Sequence, residues 1–193
     1  MNASAFSPRT GYQRLRLTVD DVDKLAEVGV IDPDARTELI DGELIFMPSE
    51  GELHINYKAQ LVRWFNRMLA DDHTVAPDSS LHLAKADAPQ PDLYVFDSGA
   101  RLKPIDPSRV QLVIEVSDTS LGRDLETKVP LYARYGLAEY WVIDIGARMT
   151  HVHLDPRNEA YAQVGITPFG EALRPTLLSY LPALIIADLP HLG

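Results

Sequence analysis

The sequence predicts an α/β protein in which helices pack on the faces of a mixed central β-sheet. Three observations support this prediction. The middle of the chain alternates between segments with helical apolar spacing and strand-like segments. Two of the strand-like segments, residues 110–116 and 139–146, are nearly continuous apolar runs, which is typical of strands buried on both faces. With 46% hydrophobic residues among 193, a single domain over residues 1–193 can enclose a substantial core.

The N-terminal part predicts an arm, a helix and a hairpin. Residues 1–12 are polar and favour a flexible arm. Thr18 has the side chain of a helix N-cap, and apolar residues recur after it at helical spacing. Two apolar stretches then flank Asp41-Gly42, a pair that favours a type I′ turn between antiparallel strands. The sequence therefore predicts a short helix followed by an added N-terminal hairpin.

The middle of the chain predicts the core, over about residues 52–145. Tyr57 and Leu61 begin an apolar spacing of three to four residues that predicts a helix over 52–69. Strand-like runs follow at 74–77, 80–85 and 91–97, and residues 97–109 predict a loop.

The second half predicts one more helix and further strands. A helix is expected within 121–136, where Pro130 either kinks it or lies in the first turn of a new helical segment. Residues 150–154 and 161–166 are strand-like around an Asp-Pro-Arg-Asn turn. These runs predict added C-terminal strands.

Composition excludes several classes of protein. The chain has 18 basic and 28 acidic residues and a formal charge of −10, which excludes a broad basic coat for binding polyanions. It has no cysteine, which excludes a disulfide scaffold and a cysteine-ligated metal site. No apolar run has the length of a membrane span or the pattern of a signal peptide. A cytoplasmic location is therefore expected.

Two carboxylates stand where a buried strand is usually apolar. Glu115 lies inside the run 110–116, and Asp92 follows Pro91 at the start of another strand. Burying an unpaired carboxylate costs several kcal/mol, roughly, unless it is paired, protonated or bound to a metal. If the two strands are neighbours, the acids converge and call for a divalent cation, for which oxygen ligands favour Mg²⁺ or Mn²⁺.

A lysine follows on the next helix. Asp124, Lys128 and Tyr132 are spaced i, i+4 and i+8, so that a regular helix places them on one face. From that face Lys128 could reach the two acids and stabilise charge that develops on a phosphate. The alternative is that Lys128 is a solvated residue paired with Asp124, and that Asp124 itself is a helix cap.

Six stretches in order resemble the Uma-two family of candidate endonucleases, within the PD-(D/E)xK restriction-endonuclease-like superfamily. The stretches are ELIDGEL, MPSEGELH, PDLYVF, LVIEVSDTS, D…K…LY and YGLAEYWVID, and they cover roughly residues 17–155. The resemblance implies a restriction-endonuclease-like fold. It also implies an endonuclease that uses Mg²⁺ or Mn²⁺ to hydrolyse phosphodiester bonds of DNA.

The resemblance also implies roles for particular residues. Asp92 and Glu115 would bind the metal. Lys128 would replace the lysine that the superfamily usually carries two residues after the second acid, where this chain has Ser117. Glu43 and His54 match further positions of the family's motifs and would complete the metal shell or contact the scissile phosphate.

Three functional hypotheses remain open at this stage. The first is a metal-dependent nuclease, the second is a catalytically inactive binding module for nucleic acid or protein, and the third is a structural domain whose buried acids serve stability. The negative charge opposes the first, because a polyanion would need a local basic groove. The acids and the lysine favour it. A homodimer is expected because two-fold dimers are the commonest oligomers.

Overall fold

The structure is a computed structural model that describes residues 14–190, and the predicted flexible arm over 1–12 lies outside the described residues. The described residues separate into two compact units. The first unit comprises the residues through Pro48 together with Ala84–Pro89, and the second comprises Ser49–Leu83 together with the residues from Gln90 onward. A single domain over 1–193 stays a prediction.

The first unit begins with helix α1 (Val19–Glu27), whose start is fixed by Thr18 as predicted. The Thr18 hydroxyl accepts a hydrogen bond from the Asp21 amide at 3.2 Å, and the Asp21 carboxylate accepts one from the Thr18 amide at 2.9 Å. This reciprocal capping box satisfies two amides at the end of the helix.

The predicted hairpin is also present in the first unit. Strands β1 (Thr37–Ile40) and β2 (Glu43–Phe46) pair antiparallel. Asp41 and Gly42 between them have φ angles of 49° and 73°, as a type I′ turn requires.

The second unit is built around a six-stranded mixed sheet. Its strands are β3 (His73–Pro77), β4 (Leu93–Asp97), β5 (Val110–Ser117), β6 (Glu139–Asp144), β7 (Met149–Arg157) and β8 (Ala160–Pro168). They lie side by side in chain order. The pair β5–β6 is parallel and every other neighbouring pair is antiparallel. The predicted mixed sheet is therefore confirmed.

The parallel pair requires a crossover, which a helical segment of three parts supplies. The parts are α3 (Leu121–Arg123), a π-helical turn (Asp124–Lys128) and α4 (Val129–Arg134). Pro130 lies in the first turn of α4, which confirms the second of the two alternatives for this proline. The π-helical turn was not predicted.

The main core lies on one face of the sheet. Helix α2 (Glu52–Met68) contributes Leu61 and Phe65, and the strands contribute Ile114 and Trp141, all of them inaccessible to solvent. The C-terminal segment adds the short antiparallel strands β9 (Ala172–Leu173) and β10 (Leu184–Ile185), and several of its apolar side chains join this core. No helix within residues 14–190 is long and apolar enough to cross a membrane.

One predicted strand is wrong. Residues 80–85 form no strand, although Leu81 and Leu83 are buried and His82 between them is more accessible. The His82 carbonyl accepts a hydrogen bond from Ile105, and Ala84 pairs locally with Asp87. The alternation of apolar and polar residues over 80–85 therefore arises because Leu81 and Leu83 are buried. It does not indicate a strand, since no neighbouring strand pairs with this segment over its length.

Candidate active site

Strands β4 and β5 bring Asp92 and Glu115 together. Leu93 pairs with Ile114, so that Asp92, directly before Leu93, lies beside Glu115, directly after Ile114. Both acids are buried, with 4% and 3% of their surface exposed. The Val116 amide donates a hydrogen bond of 2.7 Å to Asp92 Oδ2. The predicted neighbourhood of the two strands, and with it the convergence of the two acids, is present.

The first turn of α2 and the segment just before that helix each add one potential ligand. His54 Nε2 lies 2.8 Å from Asp92 Oδ1 and 3.5 Å from Glu50 Oε1. One ligand atom from each of Glu50, His54 and Asp92 lies within 4.8 Å of the other two. Two carboxylates and an imidazole at this spacing could hold a metal ion.

The ionisation of Asp92 follows from these contacts. Burial alone would raise the pKa of its carboxyl, because a charge is poorly solvated there. The hydrogen bond and charge of His54, together with the Val116 amide, outweigh burial and bring the pKa below its usual value. Asp92 is therefore a carboxylate at neutral pH, the form that binds a cation.

Glu115 is held by the crossover segment. Lys128 Nζ donates a hydrogen bond of 2.7 Å to Glu115 Oε1, and the Tyr132 hydroxyl donates one of 3.1 Å to the same oxygen. Lys128 is 1% exposed. A buried ion pair at this distance fixes the orientation of both side chains.

Asp124 is the second acid beside Lys128, at 3.8 Å from Nζ, and it accepts a hydrogen bond of 2.6 Å from the Ser120 hydroxyl. Burial raises the pKa of Asp124, although Lys128 and Ser120 oppose the shift. Asp124 occupies the C-cap position of α3, where its backbone amide donates to the Leu121 carbonyl, and its side chain is buried, with 2% of the residue exposed. A solvated Lys128 is wrong, since that side chain is buried.

The π-helical turn sets this face of the helix. Pro130 lacks the amide hydrogen that would bond to the carbonyl four residues earlier, so an α-helical ladder cannot run through it. A π turn accommodates the gap and widens the helix locally. Asp124 and Lys128 stand at the two ends of that turn, and Tyr132 follows one turn later.

Lys58 is a second lysine at the site. Its Nζ lies 2.6 Å from both carboxylate oxygens of Glu50 and 2.6 Å from Asp78 Oδ1. His54 and Lys58 are spaced i, i+4 on α2 and so lie on one side of it, while Glu50 precedes the helix by two residues. The site thus has one lysine against the Glu50 carboxylate and another against Glu115.

The family comparison can now be placed beside this geometry. The family model Uma2, described as "Putative restriction endonuclease", matches residues 19–183. The chain belongs to the Uma2 family. None of the curated proteins matches its sequence.

A solved structure supports the same fold for this Uma2 chain. It is the crystal structure of a "putative nuclease belonging to DUF820" from Anabaena variabilis, and it superposes with a TM-score of 0.69 at 19% sequence identity. The match covers 90% of this chain and 97% of the other. At this identity the likeness concerns the fold, which is that of a restriction-endonuclease-like nuclease family.

Four of the five predicted site residues come together in this Uma2 structure, namely His54, Asp92, Glu115 and Lys128. Glu43 belongs to the first unit, where it is exposed and lies 3.4 Å from Arg14 and 3.5 Å from Arg16. The roles predicted for all five residues stay predictions.

Sequence reasoning missed Glu50 as a potential ligand and Lys58 as its partner. The signal that could have found both is the i, i+4, i+8 spacing of Glu50, His54 and Lys58, the same spacing that drew attention to Lys128. Glu50 precedes the first residue of α2, so a search confined to the helix does not include it.

Proposed function

We propose that the chain is an endonuclease that depends on a divalent metal and hydrolyses phosphodiester bonds of DNA. The observation that carries the proposal is the grouping of Glu50, His54 and Asp92 within 4.8 Å, beside the buried ion pair of Glu115 and Lys128. Membership of the Uma2 family supports a nuclease.

The residues present fit a divalent cation. Five carboxyl groups, those of Glu50, Asp78, Asp92, Glu115 and Asp124, stand against the two lysines Lys58 and Lys128. This excess of acidic groups favours the binding of a cation. Carboxylate oxygens suit Mg²⁺ and Mn²⁺, and the ligand group contains no sulfur that would favour a softer metal.

Each side chain of the site would then have its own role. Glu50, His54 and Asp92 would hold the cation, with Glu115 at its side. When bound, the cation supplies a water of lowered pKa and positive charge at the phosphoryl oxygens.

Lys128 would contribute the second positive charge, held in place by Glu115 and Asp124, where the phosphate gains negative charge. Tyr132 would fix the Glu115 carboxylate through its hydroxyl. Glu43 is left out of this set, since its described partners are arginines of its own unit.

The charge of the chain bears on the substrate. At −10, the protein is repelled by duplex DNA at long range, so that binding would rest on local contacts and weaken with salt. A single-stranded or locally opened DNA carries less charge per length and fits this balance better than an intact duplex.

The test compares wild type and Asp92→Asn on plasmid, linear duplex and single-stranded DNA with Mg²⁺, with Mn²⁺ and with chelator. We expect wild type to cleave in either metal and to stop in chelator. Asp92→Asn should lose cleavage and also lose the saturable Mn²⁺ binding that titration calorimetry measures in wild type.

Cleavage that persists in chelator, or Mn²⁺ binding that Asp92→Asn leaves unchanged, would refute the proposed metal site. Saturable metal binding with no cleavage of any of the three substrates would favour the inactive binding module instead.

A further inference from the structure

We propose that strand β8 is a self-association surface, at which a second copy of the chain adds its own β8 antiparallel. Strand β8 ends the order of the six-stranded sheet in the part of the chain that the structure describes. Val164 and Ile166, near its middle, are 59% and 61% exposed. An edge of this kind offers main-chain groups to another strand.

The opposite edge of the same sheet shows how this protein protects a strand. Strand β3 has five residues and ends at Pro77. His73 at its start lies 2.7 Å from Asp72 and 3.6 Å from Asp97, and the ring of Tyr180 lies 6.1 Å from the ring of His73. Short length and charged groups are usual protections against edge pairing. The terminal proline does not distinguish the two edges, since β8 also ends in one.

Strand β8 has none of these protections along its exposed part. Its nine residues, AYAQVGITP, include no charged side chain, and the proline stands at the last position. Charged residues make up 24% of the chain. Two copies that each carry a charge of −10 repel one another, so an uncharged edge is where they can approach at the lowest electrostatic cost.

The second copy is favoured as the occupant because β8 is complementary to itself. Residues 164 and 166 point to the same face of the sheet, since side chains alternate along a strand. A two-fold axis at Gly165 places Val164 of one copy opposite Ile166 of the other, so that four apolar side chains meet. If the register were shifted by one residue, Val164 and Ile166 of the two copies would lie on opposite faces of the joined sheet and would not meet.

Gly165 suits the position on the axis. Gly165 is exposed, and a Cβ atom added there would meet no atom within 4 Å, so the position tolerates a side chain.

The first experiment measures the oligomeric state of the full chain by sedimentation velocity at micromolar and submillimolar concentrations. Wild type should form a dimer as concentration rises, and the double variant Val164→Lys/Ile166→Lys should stay monomeric. The matched control, Leu102→Lys/Leu177→Lys, adds the same charge at exposed apolar residues outside β8 and should dimerise like wild type. Circular dichroism checks that each variant is folded.

The second experiment maps the register by disulfide formation. The chain has no cysteine, so one introduced cysteine reports on one position. Residues that face each other across antiparallel strands have Cα atoms about 4.5–5.5 Å apart, which a disulfide can span. Gly165→Cys should therefore form a covalent dimer on mild oxidation. Gly170→Cys, at an equally open glycine outside β8, should not.

Three results would overturn the proposal. They are a monomeric wild type at every concentration, a dimer that Val164→Lys/Ile166→Lys leaves intact, and equal crosslinking through positions 165 and 170. The first would mean that some other occupant or none covers β8, and the second that the copies associate through another surface.

Discussion

Two neighbouring strands of the sheet each bury a glutamate, and the two glutamates have different partners. Glu115 on β5 contacts Lys128 and Tyr132, beside Asp92. Glu139 on β6 is 1% exposed and accepts hydrogen bonds from Trp141 Nε1 at 2.7 Å and from the Thr176 amide at 2.6 Å. Burial raises the pKa of Glu139.

The difference shows that burial alone does not distinguish Glu115, the acid of the proposed site, from Glu139. Glu139 ties β6 to the C-terminal segment through neutral donors, which is sufficient for a structural role. Glu115 forms an ion pair with the Lys128 ammonium. The group of Glu50, His54 and Asp92 lies beside it. The two carboxylates therefore differ in their partners and not in their exposure, and the role proposed for Glu115 depends on those partners.

The largest expected effect is a difference in cleavage rate between variants of the two glutamates. Glu115→Gln should lower the metal-dependent cleavage rate by about 100-fold or more, because the variant removes one negative group next to the proposed cation. Glu139→Gln, of the same size and on the next strand, should leave the rate unchanged. Cleavage assays on single-stranded DNA with Mn²⁺ measure both. Equal losses in the two variants would contradict a special role for Glu115.

The next effect concerns stability. Lys128→Met leaves Glu115 buried without its ammonium partner and should lower the free energy of unfolding by about 3–5 kcal/mol. Urea denaturation followed by circular dichroism measures the change. Saturating Mn²⁺ should restore part of the loss, whereas Mg²⁺- and Mn²⁺-free buffer with chelator should not. A variant as stable as wild type would show that Lys128 is not needed to balance the charge.

A third buried titratable group, His153, sharpens the comparison because neither of its ring nitrogens has a hydrogen-bond partner among the described residues. It lies between Tyr140 and Tyr161, with ring centroids 5.7 Å away on each side. Burial, together with the charge of His151, lowers the pKa of His153 from 6.5 to about 4.

This shift predicts a pH dependence. The unfolded chain takes up a proton on His153 below about pH 6.5, and the folded chain does so only near pH 4, so that stability is lost as pH falls between these values. From about pH 7 to about pH 5 the contribution to the free energy of unfolding should fall by about 2 kcal/mol. His153→Phe should lack this component in urea denaturation at the two pH values. If the free energy of unfolding fell equally with pH in His153→Phe and in wild type, the pH dependence would not come from His153.

The smallest effects come from removing one donor at each glutamate. Trp141→Phe leaves Glu139 Oε1 without its indole donor and should cost about 1–3 kcal/mol of stability, with cleavage unchanged. Tyr132→Phe removes the hydroxyl donor to Glu115 Oε1 and should cost about 1 kcal/mol, with a modest loss of cleavage rate. Thermal unfolding and cleavage assays together separate the two. If Trp141→Phe lowered the cleavage rate and Tyr132→Phe lowered stability alone, the result would contradict the roles assigned to the two glutamates.

Much of this arrangement could be predicted from sequence. Strands β5 and β6 are apolar because both faces are buried, and a carboxylate inside β5 is conspicuous for that reason. The Asp41-Gly42 turn and the Thr18 cap depend on local chemistry, so residues adjacent in sequence were sufficient to predict them.

The remainder depends on contacts between distant residues. The sequence predicts a buried strand that includes Glu139, and no residue near it in sequence indicates that its partner is the Thr176 amide, 37 residues away. The bridge that Lys58 makes between Glu50 and Asp78 joins α2 to the end of β3, a contact that only the folded unit creates. The π-helical turn was missed because Pro130 permits either a kink or a new helix.

Lys128 lies on the π-helical turn before α4 and not on β5. The proposed site is therefore complete only after the chain beyond β5 has been synthesised. A nascent polypeptide presents His54, Asp92 and Glu115 before Lys128 has been made. Parallel pairing of β5 with β6 then requires the residues up to Asp144. A ribosome-bound fragment that stops short of β6 lacks Tyr140, whose hydroxyl donates to the Asp124 carbonyl and whose ring packs against Tyr132. The proposed site is therefore complete only after this strand has been made.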